Sequence, residues 1–405
     1  MVVVAQLGAR MHYAVPAILA RSGMLERLYT DIYSPQLPRP LRTWASQFGP
    51  APLRRWLGRI PADIPQEKIV AFTAMGLEYY KRRRFAASSA AITEIYLWAG
   101  REFCRNVIRR GLGDASGVYT YNSAGLELLE HARTAGKLAV MEQTMASGVV
   151  EDELLQEEER AHPQWAQSRA KDPFRPAFCE RERLEWEAAN VILCGSEFVR
   201  DSIVASGGPG ERCRVIPYGV SLHSSPARKE RIHRPLRVLV AGAVGLRKGA
   251  PYVLAAARSL RGNAEFRMAG QLDITAHAQT MLREHATLLG AVPRAEMHQQ
   301  FAWADVFLLP TLCEGSATVC YEALAHGLPV ITTLNAGSVV RDGVDGFLVP
   351  IRNSEAIQDR IERLANDEDL WAAMSTNALA RASDYTLEKY GERLLQVLNE
   401  VKPAA

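Results

Sequence analysis

No stretch of this 405-residue sequence approaches the roughly 20 consecutive apolar residues that a membrane-spanning helix needs. The apolar opening, Met1 to Gly8, is too short for a secretory signal, lacks a basic segment before it and meets Arg10 at once, so export is not expected. Cysteine is sparse: Cys104, Cys179, Cys194, Cys213, Cys313 and Cys320 form no Cys-x-x-Cys pair. That spacing argues against a disulfide framework and against a cysteine zinc site, and it suits the reducing cytoplasm. Internal repeats and low-complexity tracts are also missing. Net charge is only +3.

That small net charge hides an asymmetry. Residues 1–110 carry 17 Lys/Arg against 7 Asp/Glu, so the remainder is acidic. Within the basic part, segments 53–59, 81–84 and 101–110 lie near Trp44, Trp56, Phe85, Tyr96 and Trp98. A basic surface that bears aromatic residues suits an anionic membrane surface, with a merely solvated face as the other reading and nucleic acid the least favoured.

The length calls for two domains. Segments 2–7, 117–121, 137–142, 191–194 and 213–217 have strand character, alternating with helical patterns that include 13–28, 66–110 and an acidic stretch at 148–189. Residues 218–235, with Gly219, Pro226 and Pro235, resemble a linker. Further strands are expected at 236–242, 264–269, 287–290, 305–309, 328–332 and 347–349. Runs such as Val238-Leu-Val-Ala and Val306-Phe-Leu-Leu are apolar throughout, as parallel strands covered on both faces must be. The expected fold class is α/β, with two doubly wound, Rossmann-like domains facing a cleft. The boundaries fall at 1–217 (with a basic helical insertion at 35–110), 218–235, 236–384 and a final helix at 385–405.

Chemistry concentrates between Pro310 and Val330. A buried strand ends at Pro310, a loop carries Glu314 and Gly315, and a helix opens near Ser316, Ala317 and Thr318, with Glu322 about two turns in. A helix N-terminus offers free N–H groups to phosphate oxygens. Two carboxylates at this spacing reach different parts of one ligand, as the hydroxyls of a sugar and of a ribose would require. A second turn, Gly242-Ala-Val-Gly245-Leu-Arg247-Lys248-Gly249, also joins a strand to a helix. Two cations in such a turn suit an anionic ligand.

Glu314 and Glu322 with seven residues between them, followed by Ala-Leu-Ala-x-Gly-Leu-Pro-Val, resemble the signature of glycosyltransferase family 4, the retaining enzymes of GT-B architecture. The turn with Lys248 is similar to the family's second motif, except that Ala243 stands where Arg is frequent and Arg247 takes up the charge. Leu289-Gly290-Ala-Val-Pro resembles the loop that frames the base, and residues 385–401 the helix that returns to the N-terminal domain. The resemblance covers residues 115–400 well, 1–30 loosely and 35–110 not at all.

The resemblance implies transfer of a sugar from a nucleoside-diphosphate donor to a hydroxyl acceptor, a glycan or a lipid-linked one, with retention and without an essential metal. Lys248, Arg247 and Glu314 would act at the reacting centre. Gly8, Gly242, Gly245, Leu289, Gly290, Gly315, Ser316, Ala317, Thr318 and Glu322 would surround the donor. His12 follows the first strand, where the family has a loop facing the phosphates. Where many members place a His after the strand at 137–142, this chain has Met141-Glu142-Gln143-Thr144, making Glu142 the substitute candidate. Asn122 and Ser123 border the same cleft, with helix capping as their expected task. A nucleotide-sugar epimerase, or a binding protein without catalysis, would share the fold.

Overall fold

The structure, a computed structural model, describes residues 1–33, 63–165, 172–222 and 235–401. The expected basic segment 53–59 with Trp44 and Trp56, and most of the expected linker, lie outside the described residues.

Among those described, thirteen strands form two all-parallel sheets. The first contains β1 (Val2–Gln6), β2 (Leu25–Thr30), β3 (Ile69–Ala71), β4 (Gly117–Tyr121), β5 (Leu138–Gln143), β6 (Val191–Cys194) and β7 (Cys213–Val215), in the order β3-β2-β1-β4-β5-β6-β7. The second contains β8 (Leu236–Ala241), β9 (Ala264–Ala269), β10 (Ala286–Gly290), β11 (Val306–Leu309), β12 (Val330–Thr332) and β13 (Gly346–Leu348), in the order β10-β9-β8-β11-β12-β13. The central strands are wholly buried: Val3, Val4, Val118, Tyr119, Phe307 and Leu308 have no exposed surface. Helices cover both faces, which explains their unbroken apolar runs. In each sheet the strand order reverses beside the first strand, between β1 and β4 and between β8 and β11. The crevices beyond those strand ends are where this fold binds ligands.

Two helical readings need correction. The stretch 13–28 is a helix only over Ala14–Arg21, and β2 follows. Gly23, at φ +71°, closes the helix: its N–H donates to the Ala20 carbonyl (3.1 Å) and the Met24 N–H to that of Leu19 (2.8 Å). The stretch 66–110 begins instead with β3, before helices Thr73–Arg84 and Ser89–Arg110. The acidic stretch is two helices, Gly148–Ala161 and Arg175–Ala188.

Three contacts tie the sheets together. Trp165 belongs to the apolar core of the second sheet, although it follows the helix Gly148–Ala161 that leaves the first. The fully buried Glu158 carboxylate accepts the Tyr252 hydroxyl at 2.9 and 3.0 Å and pairs with Arg352. The last helix, Leu387–Glu400, packs on helix Ala14–Arg21, where a Cβ on Gly391 would stand 3.3 Å from Ile18.

Candidate functional site

At the switch point of the second sheet, the loop after β8 turns through Leu246–Lys248 and the loop after β11 runs from Pro310 to Ala317. Glycine makes their meeting possible. Gly249, at φ +73°, has no room for a Cβ, which would overlap the Pro310 carbonyl. Gly242, at φ +129°, lets Lys248 fold back so closely that an added Cβ would lie 3.1 Å from its Cε.

The charged groups converge as the sequence suggested. Lys248 Nζ stands 2.6 Å from Glu314 Oε1, and Arg247 Nη1 donates to that same oxygen. Arg247 Nη1 also donates to the Cys313 carbonyl (2.9 Å), while the Arg247 carbonyl accepts from Leu312 N–H and the Thr311 hydroxyl, both at 2.9 Å. Two cations on one carboxylate leave a net positive centre in a largely desolvated place: the Lys248 and Glu314 side chains are 12% and 11% exposed.

Gly315 presses on the first domain. A Cβ there would overlap the Thr144 carbonyl at the end of β5, and the Ser196 hydroxyl donates to the Gly315 carbonyl. Of the N–H groups of Ser316, Ala317 and Thr318 expected to face a phosphate, that of Ala317 is already engaged within the protein. The Ser316 hydroxyl is engaged with the Tyr321 hydroxyl (2.7 Å) and the Gly337 carbonyl (3.1 Å), and the Ala317 N–H donates to Ala336 (2.9 Å). The helix starts at Thr318, which is exposed. Leu289 and Gly290 end the edge strand β10, where the Gly290 carbonyl accepts from Gly270 N–H at 2.8 Å. Gly245 precedes the Leu246–Lys248 turn, next to the Asp273 backbone.

Across the cleft, the loop after β1 is strained. Met11, His12 and Tyr13 lie consecutively at φ +44°, +51° and +65°, a conformation costing about 1–3 kcal/mol per non-glycine residue and concentrated at functional sites. Gly8, at φ +84°, precedes them, its N–H held by Asp31 Oδ1 at 3.0 Å. Through this loop the exposed His12 reaches Arg294, whose Nη2 is 3.6 Å from Glu322 Oε1. Arg294 thus links an N-terminal residue with the second motif carboxylate. Sequence reasoning missed it, although it directly follows the Leu289-to-Pro293 segment.

Glu142 is placed differently from expectation. Its carboxylate is 2% exposed and accepts the hydroxyls of Tyr119 and Tyr218, the latter at 2.7 Å. Burial pushes its pKa above the usual carboxylate range, against the phenol hydrogen bonds and Arg10, which act the other way. A carboxylate so enclosed braces the strand ends from beneath and does not line the cleft. Asn122 and Ser123 differ too. Asn122 Oδ1 accepts the Thr144 hydroxyl (2.8 Å), tying β4 to β5. The cap on helix Leu126–Thr134 comes from the buried Glu185, which accepts N–H groups of Ser123, Gly125 and Leu126 at 2.7–3.1 Å.

Among the described residues, no helix is long and apolar enough to cross a membrane, and no group of three or more His, Cys, Asp or Glu side chains is arranged to hold a metal ion.

Comparison with known proteins agrees with this geometry. Residues 235–367 match the family model "Glycosyl transferases group 1". Over 195 residues the chain is 28% identical to the amylovoran biosynthesis glycosyltransferase AmsK of Erwinia amylovora, covering 44% of this chain and 48% of that one. Over 262 residues it is 25% identical to the alpha-D-kanosaminyltransferase of Streptomyces kanamyceticus, covering 59% and 67%. The chain therefore spans about half to two-thirds of the length of these curated relatives. Among solved structures, Anabaena HepE in complex with UDP-glucose superposes with a TM-score of 0.63 at 15% identity, covering 99% of both chains. Sucrose-phosphate synthase from Thermosynechococcus elongatus gives 0.64 at 16% identity, covering 98% of both. At such identities the structures show the fold, which is GT-B. Residues 235–367, with Lys248 and Glu314 in the loops beyond β8 and β11 and Glu322 in the helix that follows, thus match a glycosyl transferases group 1 domain, on a GT-B frame.

Proposed function

We propose that the chain transfers a sugar from a nucleoside-diphosphate donor to a hydroxyl of a glycan or lipid-linked acceptor, with retention of configuration. The observation that carries this reading is the meeting of Lys248, Arg247 and Glu314 at the switch point of the second sheet. A diphosphate entering there would exchange with Glu314 for the two cations, releasing the carboxylate to accept hydroxyl hydrogen bonds from the sugar. Lys248 and Arg247 would then stabilise the charge that develops as the diphosphate leaves. Glu322 would hold the ribose diol once Arg294 moves off it, and Leu289–Gly290 would flank the base. Gly8, Gly242, Gly245 and Gly315 would border the donor on this reading. The exposed His12 would face the sugar from the other wall.

No essential metal is part of this proposal, because the two cations supply the positive charge a metal would bring. A reducing, cytoplasmic setting is supported by six cysteines that form no disulfide. The test is acceptor-dependent release of nucleoside diphosphate, after a thermal-shift screen of UDP-, GDP- and ADP-sugars, since a bound donor raises the melting temperature. Release should persist in EDTA, and NMR of the product should show the donor's anomeric configuration. Loss of activity on chelation, restored by Mg²⁺ or Mn²⁺, would overturn the metal-free part. Donor hydrolysis or epimerisation indifferent to any acceptor would overturn the whole.

A further inference from the structure

A second cavity, of about 430 Å³, opens at the switch point of the first sheet, beyond the ends of β1 and β4. Its walls come from distant places in the sequence: the loop after β1 (Gly8 to Arg10), the loops after β4 and β5 (Asn122, Thr144), the helices Thr73–Arg84 and Ser89–Arg110, and the single residues Asp31 and Phe178. Two guanidinium groups lie in it, and each is held on an aromatic face. Arg10 sits over the Tyr121 ring, 5.6 Å from its centroid, and Arg83 over Tyr96 at 5.2 Å. Arg10 also donates to the Thr144 hydroxyl at 2.9 Å, which takes one of its five N–H donors. Stacked and braced in this way, the two planar forks are oriented in advance, the condition under which arginine binds a planar oxyanion well. The lining holds one carboxylate, Asp31, which is 1% exposed and accepts from Gly8 N–H and the Thr30 hydroxyl. The field inside is therefore net positive.

The cavity also adjoins the donor motif. Thr144, in its wall, is the residue whose carbonyl abuts Gly315. A molecule in the cavity would thus lie beside the centre formed by Lys248 and Glu314. Tyr79, Tyr96 and Phe178 in the lining provide apolar faces for the C–H side of a sugar ring.

We infer that this cavity takes an acceptor sugar bearing an anionic group, a carboxylate or a phosphate, received between Arg10 and Arg83. The inference rests on the proposed transferase reading and names the acceptor class for it. The source of the anion, a uronic acid or a sugar phosphate, is separated by the choice of probe.

The experiment titrates the full chain with methyl glucuronide, glucose 6-phosphate and neutral methyl glucoside, reading binding by NMR line broadening, with UDP affinity measured in parallel. At least one acid should bind about tenfold or more tightly than the neutral glycoside, as expected for charge-assisted hydrogen bonds. Arg83→Gln, on an exposed helix position, and Arg10→Gln should each lower affinity for that acid severalfold while leaving UDP affinity and melting temperature near wild type. The better of the two acids identifies carboxylate or phosphate. Equal binding of all three sugars, failure of both acids to bind, or acid binding unmoved by Arg83→Gln would overturn the inference. Failure of the wild type to bind UDP, GDP and ADP alike would instead strike the transferase reading, so the two failures are distinct.

Discussion

The two switch points of this molecule have the same topology and opposite construction. In the second domain the groups that matter sit within two short, contiguous segments, 242–249 and 310–322, and the charges meet locally: one carboxylate holds two cations, leaving one positive charge over. In the first domain the corresponding crevice is assembled from many distant segments, its two guanidinium groups rest on aromatic rings, and its one lining carboxylate, Asp31, is buried and holds the Gly8 N–H. On the proposed reading, the difference follows from what each would bind, a donor diphosphate in the second domain and an acceptor in the first. A diphosphate presents the same charge to every enzyme that uses it, so a compact local motif suffices. An acceptor has to be distinguished from many similar molecules, and that takes residues gathered from several elements, each placed by the fold.

The strongest way to break the comparison is at the charge cluster. Lys248→Gln should lower transfer by about 10²–10³-fold, the usual effect of removing one preorganised group from a developing negative charge. The melting temperature should rise or stay level, because Glu314 keeps Arg247. A smaller loss than tenfold in single-turnover measurements would mean that Arg247 alone neutralises the leaving group. Next comes Glu322→Ala. Unpaired ribose hydroxyls cost on the order of 1–3 kcal/mol, so affinity for the nucleoside diphosphate should fall about tenfold to a hundredfold with the fold intact. Unchanged affinity in calorimetry would show that Glu322 serves only to anchor Arg294.

Legibility in the sequence divides along the same line. The second domain could be read almost residue by residue: its expected strands match to within a residue or two, because apolar runs between glycine turns have few alternatives. Lys248, Arg247 and Glu314 were predicted together and meet. In the first domain, strand β2, Leu25-Glu-Arg-Leu-Tyr-Thr, was absorbed into a helix, although Gly23 marked the stop. Glu142 was assigned to the cleft because its position was right, yet tyrosines from residues 119 and 218 enclose it, and no local pattern announces a partner 76 residues away. Arg294 and Arg10 were invisible as site residues for the same reason. Each becomes functional only through a contact with another domain or another loop: Arg294 through His12, 282 residues distant, and Arg10 through Thr144, 134 residues distant.

A milder perturbation separates bracing from catalysis in the first domain. Burial raises the folded-state pKa of Glu142 above its unfolded value. An acid raised in this direction stabilises the fold fully below the unfolded pKa, near 4.5, and loses that contribution as pH climbs through the folded value. Glu142→Gln, which does not ionise, lacks this loss. Its melting temperature should therefore gain on the wild type as pH rises from about 4 to 7, by a few degrees at most. Parallel melting curves at every pH would mean that the carboxylate is as well solvated in the fold as outside it.

The smallest expected effect concerns the basic face, which the family resemblance does not cover. Lys81, Arg82, Arg83 and Arg84 end one helix, and Phe85 beside them is 73% exposed. We propose that this tip touches anionic membrane, where each basic residue contributes roughly 1 kcal/mol. The count of four overstates the attraction. Arg82 lies 4.1 Å over the Trp98 ring and 2.8 Å from Glu78, and Arg83 is turned onto Tyr96 in the cavity of the first domain. Lys81 and Arg84, with Phe85 between headgroups, are left to make most of the contact. Sedimentation with anionic vesicles at low salt should show weak binding that vanishes toward 1 M salt, where the screening length shrinks to about 3 Å. The double variant Lys81→Gln, Arg84→Gln should bind nearly as poorly as the variant with all four residues changed to Gln. Should the double variant bind like wild type while the fourfold one does not, Arg82 and Arg83 leave their rings to meet lipid, and the cavity and the membrane compete for the same guanidinium. Should wild type ignore anionic vesicles, the face is solvated and the acceptor arrives from solution.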